Sequence, residues 1–295
     1  MPVRRANWHA HDGRNRQGRS GAVFSRAGSS VYALPVTFSV VLITENEQAN
    51  LAQTLESVMP LVANGRGEII VVDSGSTDRT LEIARSFGAK VFSEPWKGFA
   101  AQKNSAMDKA TCDWVLQLDA DERLERELAT EILEKALPSN AHFQGFWIPR
   151  KNFFLGRWIR HGGFYPDPKL RLIRRGAGRF QEYGAHPTIQ VTGPTGRFEH
   201  AMVHNAYPTL RGYLDHMNRY STSGAQVALE KGYRGFRVSD IVVRPLLTFL
   251  YNYGFRLGFL DGREGLLLHL YHATYVSWKY AKAWELGPTQ QAENR

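Results

Sequence analysis

From Phe38 onward the chain alternates between two hydrophobic periods. FSVVLIT is a near-continuous apolar run, the mark of a strand covered on both faces. NEQANLAQTLESVMPLV then sets Leu51, Leu55, Val58 and Val62 on one helical face. EIIVVD repeats the strand pattern. STDRTLEIARSFG predicts a second helix, with Ser76 or Thr77 as N-cap and Gly88 at its end. KVFSE is a third strand. GFAAQKNSAMDKA follows as a helix, with Phe99, Lys103, Ala106 and Ala110 along one stripe. WVLQLD is a fourth strand, and ERELATEILEKAL another amphipathic helix.

This alternation predicts a mostly parallel α/β sheet flanked by helices and joined by right-handed crossovers. Ligands of such sheets bind beyond the carboxyl ends of the strands. Those ends carry Thr44 and Glu45, then Asp73, then Asp119 and Asp121. No GxGxxG follows the first strand and no GxxxxGK[ST] occurs, which excludes the two common phosphate cradles. Past residue 140 the chain turns aromatic and basic, with Gly and Pro punctuation: strands and loops are expected to extend the sheet and cover the site. TLRGYLDHMNRYSTSGAQVAL is a helix candidate. The last stretch, from RPLLTFLYNYGF to KYAKAWEL, is rich in Leu, Phe, Tyr and Trp. Arg256, DGREG and Pro245 break its apolar runs below the roughly 18–20 residues a spanning helix needs. Aromatics flanked by Arg and Lys suit a membrane interface. A helical cap on the domain's own core is the alternative.

Charge adds one point. Arg4, Arg5, Arg14, Arg16, Arg19 and Arg26, against Asp12, supply more than half of the net charge of +9. Residues 1–34 read as a basic disordered tail with no secretory signal. An electrostatic tether to anionic lipid or nucleic acid is the sharper reading. The remainder is only mildly basic, and no nucleic-acid partner is expected. The lone Cys112 excludes an intrachain disulfide and a Cys-based zinc site. His200, His204 and His216 fit no HExxH spacing, so no zinc site is expected.

The acids are the candidate chemistry. Asp-x-Asp at a strand end can bind a hard divalent ion, Mg²⁺ or Mn²⁺, with substrate phosphates completing the shell. Asp73 can accept hydrogen bonds from a ribose or base. Lys97, Lys103 and Asn104 could add contacts. Against this, acids at strand ends are often solvated helix starts. Arg171, Arg174 and Arg175 read either as a solvated strand face or as contacts to diphosphate or acceptor phosphate. Trp147, Trp158, Phe164 and Tyr165 could stack on sugar rings, and for Trp147 core packing serves equally.

VLITENEQANLAQTLESV, IIVVDSGSTDRTLEIA, WKGFAAQKNSAM and WVLQLDADERL together strongly resemble the nucleotide-sugar-binding half of the inverting, GT-A fold glycosyltransferases of family 2. The stretch FWIPRKNFFLGRWIRHGGFYPDPKLRLIRR, with YSTSGA, RPLLTFLYNYGF, GFLDG and KYAK, is similar to the bacterial lipopolysaccharide core β-glucosyltransferase subgroup. The resemblance implies a GT-A domain over 35–235, with a donor half near 38–137 and an acceptor half near 138–235, then an amphipathic helical extension over 236–295. It implies transfer of glucose from UDP-glucose to a core heptose at the cytoplasmic face of the inner membrane, by a peripheral protein. Asp73 is then expected on the uracil or ribose, Asp121 on Mg²⁺ or Mn²⁺, and Asp119 on ribose or metal. Thr44 and Glu45 are expected beside the nucleotide, with Asp78 shaping the loop.

Inverting transfer also needs a base for the acceptor hydroxyl. Asp167 is the first choice and Glu182 the alternative. Members of the subgroup commonly carry His-Glu where this chain has His186 and Pro187, which removes one carboxylate candidate. Polyprenyl phosphate, capsule or O-antigen saccharides are rival acceptors. A nucleotidyltransferase or a non-catalytic nucleotide-sugar-binding module is the rival of another class.

Overall fold

The computed structural model describes residues 36–136, 142–181 and 187–293, with side chains described to residue 287. The expected tail over 1–34, Glu182 and His186 lie outside these residues.

The first half follows the predicted alternation: β1 (Phe38–Thr44), α1 (Leu51–Val62), β2 (Gly67–Asp73), α2 (Thr80–Ser86), β3 (Lys90–Ser93), α3 (Phe99–Asp108), β4 (Trp114–Asp119), β5 (Glu122–Leu124) and α4 (Arg126–Lys135). The second half is strand-rich: β6 (Gly145–Ile148), β7 (Arg150–Phe154), β8 (Arg157–Trp158), β9 (Lys169–Arg174), β10 (Gly178–Gln181), β11 (Thr188–Val191), β12 (Thr195–Arg197) and β13 (Met202–Tyr207). Helix α5 (Leu210–Glu230) follows, with Thr209 capping it by accepting the Gly212 N–H at 3.1 Å.

Seven strands form the main sheet in the order β12-β6-β9-β4-β1-β2-β3. Only β9 opposes its neighbours β4 and β6; the other pairings are parallel. Period-two alternation divides each central strand between two apolar layers. Phe38, Val40 and Leu42 of β1 join Val71 of β2 and Leu116 of β4 under α1 and α4. Val41, Ile70, Val72 and Val115 face Ala100, Ala106 and Met107 of α3, with Phe180 and Ile189 of the β10–β11 hairpin. Burial on both faces explains the near-continuous apolar runs. The predicted face Leu51, Leu55, Val58 and Val62 of α1 is buried throughout.

Two local expectations are corrected. Ser76 and Thr77 do not cap α2, which starts at Thr80. Asp78 takes the capping geometry instead, accepting the Thr80 N–H at 2.9 Å, while the Ser76 hydroxyl is spent on Asp73. Phe99 leaves its predicted stripe: it is 54% exposed and sits edge-on to Trp96.

A second sheet, β5-β13-β7-β8, stands beside the first. Behind it the chain ends in helical segments: a π-helical turn Ser239–Val243, α6 (Arg244–Phe249), a π-helical segment Leu250–Phe255, a 3₁₀ turn Gly258–Asp261 and α7 (Gly262–Glu293). Phe154, Ile159, Tyr213, Met217 and Leu268 share one cluster, which joins the second sheet to α5 and α7. The buried Asp261 fastens the loop after β8, accepting the N–H groups of Arg160 and His161 at 3.2 and 2.8 Å. Among the described residues no helix is long and apolar enough to cross a membrane.

Candidate active site at the carboxyl edge of the sheet

Strand register brings the predicted acids together. Thr44 pairs with Asp73, and Ile43 with Asp119, so three strands end at one edge. Asp73 is buried and fully engaged. Its carboxylate accepts the Thr44 hydroxyl at 2.9 Å, the Ser76 hydroxyl at 2.5 Å, and the N–H groups of Gly75 and Ser76 at 2.9 and 2.8 Å. Burial raises its pKa, and these hydrogen bonds outweigh burial and hold it below the usual value. Gly75 turns at φ +113, a conformation that admits little else. Thr44 and Asp73 therefore shape the loop that a nucleotide would meet. That loop is stitched to the one after β1: Thr77 N–H donates to Asn46 Oδ1 at 2.9 Å, and Glu47 N–H to Thr80 Oγ1 at 2.8 Å. Glu45 is exposed at the rim.

Asp119, Glu122 and Arg171 form the centre. Arg171 is buried and donates Nη2 to Asp119 and to Glu122, 2.7 Å each, and Nη1 to Gln117. Lys103, also buried, meets the other Asp119 oxygen at 2.5 Å. Glu122 further accepts Arg150 at 2.9 Å and the Asp119 N–H at 3.1 Å. Burial works to raise the pKa of both acids; the neighbouring cations reverse the sign and hold Asp119 well below the usual carboxylate range.

Asp121 is held differently. Thr54 anchors the turn by donating to Ala120 O at 2.7 Å, and Asn205 N–H donates to Asp121 O at 3.0 Å. The Asp121 carboxylate is partly exposed, and His204 Nε2 lies 3.3 Å from its Oδ2. Asn152 donates its amide to Phe164 O and Asp167 at 3.0 and 3.1 Å, so its Oδ1 must accept from His204 Nδ1 at 2.7 Å. That bond turns His204 Nε2 towards the Asp121 carboxylate. An imidazole nitrogen and a carboxylate held this close can take a cation between them, and the Asn152 bond is the orienting contact that metal-ligating imidazoles carry. Glu47 adds negative potential: burial raises its pKa, and the charges of Asp121, Asp119 and Asp78 raise it further. These residues fit a divalent ion held by Asp121 and His204. At Asp119 each carboxylate oxygen already meets a protein cation, Lys103 on one and Arg171 on the other.

Asp167 lies on the wall of an adjoining cavity of about 330 Å³, with Arg150, Asn152 and His204. It accepts Arg150 Nη2 at 2.7 Å and Lys169 Nζ at 2.9 Å. Burial raises its pKa, and Arg150 and Lys169 bring it down to about 2.

Several expected contacts are redirected. Arg174 is not brought to the site. It pairs with Trp114 at the opposite end of β4, lies over that ring at 4.6 Å and donates to Phe143 O at 3.1 Å. Asn104 exchanges both amide bonds with the Phe180 backbone, at 2.9 and 2.8 Å, and so positions β10. Arg171 and Lys103 reach the site but are spent on its carboxylates. Asp78 shapes its loop as expected, accepting Thr80 and the Gln48 N–H. Sequence reasoning missed His204 and Glu47 as members of the cluster. Only the β13–β5 register, which sets His204 opposite Glu122, brings His204 in.

Comparison with known proteins shows the family and the fold. The sequence model described as Glycosyl transferase family 2 matches residues 39–199. The lipopolysaccharide core biosynthesis glycosyltransferase LpsC of Rhizobium meliloti (strain 1021) is 30% identical over 255 residues, 84% of this chain and 92% of that protein. An uncharacterized glycosyltransferase of Rickettsia typhi is 47% identical over 94 residues, only 32% of this chain and 31% of that one. Among solved structures, the mannosyltransferase PcManGT of Pyrobaculum calidifontis, in complex with GDP-Man and Mn²⁺, superposes with a TM-score of 0.50 at 17% identity, covering 86% of this chain and 87% of that one. The architecture is the mixed α/β GT-A fold. By the family match over more than half its length and the LpsC likeness over most of it, the chain belongs to glycosyl transferase family 2.

Proposed function

We propose that the protein is a metal-dependent, inverting hexosyltransferase. It moves a sugar, glucose in our reading, from a UDP-sugar to a lipid-linked saccharide such as lipopolysaccharide inner-core heptose. One observation carries the reading: His204 Nε2 lies against the Asp121 carboxylate at the edge where Thr44, Asp73 and Asp119 also end. The similarity to LpsC supports the acceptor class. In this reading Thr44, Glu45 and Asp73 form the base and ribose side of the donor site. Asp121 and His204 hold Mg²⁺ or Mn²⁺, which supplies positive charge against the departing diphosphate. Asp119 contacts ribose from a pocket kept electroneutral by Lys103 and Arg171. Asp167 accepts the proton of the acceptor hydroxyl. Its ion pairs keep it ionised at neutral pH, as a proton acceptor must be, and lower its basicity.

The lipid-linked acceptor requires a surface. Val238, Val242, Leu246 and Leu250, and beside them Val243, Leu247, Tyr251 and Phe255, are all exposed and repeat every four residues. An α-helix drifts away from such a repeat, whereas π-helical turns around α6 restore it, so the strip stays on one side. Arg234, Arg237 and Arg263 flank it, exposed. A strip of this size and setting suits the interface of an anionic membrane, here the cytoplasmic leaflet of the inner membrane.

The test is calorimetry with UDP, with and without Mn²⁺, on wild type and Asp121→Ala, followed by transfer from a panel of UDP-sugars to purified lipopolysaccharide of truncated core. UDP binding that requires both metal and Asp121 is expected. Metal-independent binding unaffected by the substitution would sink the metal site, and no UDP binding by folded wild type in Mn²⁺ would sink the donor site.

A second reading, transfer to polyprenyl phosphate, is favoured by the same Asp167 pairing. A phosphate attacks as an anion and needs little help from a base.

A further inference from the structure

The cavity beside the candidate active site has two walls of different origin. Arg150, Asp167 and His204 come from the sheets and the loop before β9; Asn252, Arg256 and His272 come from the C-terminal helices. The cations on it are not equivalent. Arg150 is committed to Glu122 and Asp167. His204 is committed to Asn152 and Asp121. Burial pushes the His272 imidazole down, away from the charged form. Arg256, the one arginine here without such a partner, makes neither an ion pair nor a side-chain hydrogen bond with the described residues; its guanidinium lies 5.8 Å from the Tyr251 ring centre.

Arg256 is nevertheless held in place. Its carbonyl accepts the Gly162 N–H at 2.9 Å. Its guanidinium lies across Gly163, where a Cβ would come within 2.1 Å of Nη1. Gly163 is at φ +89, so both the turn and the close approach need glycine. The residue is exposed, and a guanidinium laid across Gly163 with no counter-charge among the described residues, lining a cavity whose carboxylate is already doubly paired, is open to an anion. Planar, bidentate donors of this kind match a phosphoryl group.

We propose that Arg256 is the phosphate-recognising residue of the acceptor cavity, and that the saccharide bound there carries a phosphate monoester. The inference rests on the acceptor reading above and narrows it: the hydroxyl that attacks lies near Asp167 and His204, while the phosphate is held at the C-terminal wall. Phe164 and Tyr207, which also line the cavity, offer apolar faces to the sugar ring between them.

The experiment is a ³¹P NMR titration of glucose 6-phosphate into wild type, Arg256→Gln and Arg256→Lys, with calorimetry of UDP and Mn²⁺ on the same samples. Binding by wild type should weaken roughly tenfold or more in Arg256→Gln, the scale of a lost charge-assisted pair, and recover in part in Arg256→Lys. UDP binding should be equal in all three, which also reports folding. Equal or absent sugar-phosphate binding in wild type and Arg256→Gln overturns the proposal. In a parallel arm the proteins are sedimented with phosphatidylglycerol vesicles. Arg256-dependent vesicle binding without sugar-phosphate binding overturns it in favour of a lipid headgroup. Loss of the UDP response in wild type, with Arg256-dependent sugar-phosphate binding intact, rejects the donor reading and leaves the anion site standing.

Discussion

His204 directs Nε2 at Asp121 Oδ2 across 3.3 Å, while its other nitrogen is fixed by Asn152. Removing either partner should uncouple nucleotide from metal. Asp121→Ala and His204→Ala are expected to weaken UDP binding in Mn²⁺ by about 10–100-fold, to the level wild type shows in EDTA. Calorimetry decides it, and Mn²⁺-enhanced UDP binding by folded His204→Ala would remove the histidine from the metal site.

Arg171 serves the buried Glu122 and the half-buried Asp119 with one nitrogen. Replacing it with methionine leaves Asp119 and Glu122 without their shared cation, at a cost of roughly 3–5 kcal/mol. Lysine should rescue little, because an ammonium cannot span Gln117, Asp119 and Glu122 together. Urea unfolding of both variants measures this, and a loss under about 1 kcal/mol would show that the network relaxes.

Asp167→Asn separates the two acceptor readings. With a hydroxyl acceptor, kcat should fall by about 10²–10⁴-fold while UDP affinity is unchanged. A drop of only a few fold points to an acceptor that arrives already ionised. Melting temperature provides the control, since Arg150 and Lys169 lose part of their charge partner.

The apolar strip predicts graded membrane binding. Leu247→Glu and Phe255→Glu should each reduce partition onto anionic vesicles by about tenfold or more, since each side chain is worth roughly 1.5–3 kcal/mol when removed from water. Both are exposed, Phe255 at 79%, so folding should be unaffected. Flotation of the variants beside wild type checks it, and equal flotation would assign the strip another partner.

His269 predicts a specific acid sensitivity. The ring is buried, and neither nitrogen has a hydrogen-bond partner among the described residues. Burial foremost, with the charges of His272 and Arg256, lowers its pKa from 6.5 to about 4 against the opposing charge of Asp261. The unfolded chain therefore takes up the proton first. Its contribution to stability is complete above about pH 6.5 and is lost as pH falls towards 4. Asp167, Glu68 and Glu131, each held to about 2, add their loss only at lower pH. Melting curves between pH 7 and 5 should fall less steeply for His269→Leu than for wild type. Parallel curves would mean that another group carries the dependence.

The sheet was legible because its strands are buried on both faces, which writes continuous apolar runs into β1, β2 and β4. The convergence of Asp73, Asp119 and Asp121 was legible for a related reason: parallel strands in one register end together. What the pattern cannot carry is which charges meet. Arg171 and Arg174 share one basic run, yet three residues of strand set them on opposite faces, one in the carboxylate cluster and the other over Trp114. Asp119 and Asp121 look equivalent in LDADE, yet Lys103 and Arg171 reach the first and His204 the second. His204 enters through the pairing of two strands distant in sequence, and no local periodicity encodes that.

The two π-helical segments also set the phase of the chain that follows them. Asn252 and Arg256 point to the cavity while Tyr251 and Phe255, their immediate neighbours, point away from it. Deleting a single residue from Ser239–Val243 would rotate everything downstream by about 100°. The greasy side chains would then turn inward and the guanidinium outward. Unlike a surface loop, this stretch should tolerate point changes far better than changes in length, and its residue count is itself a functional parameter.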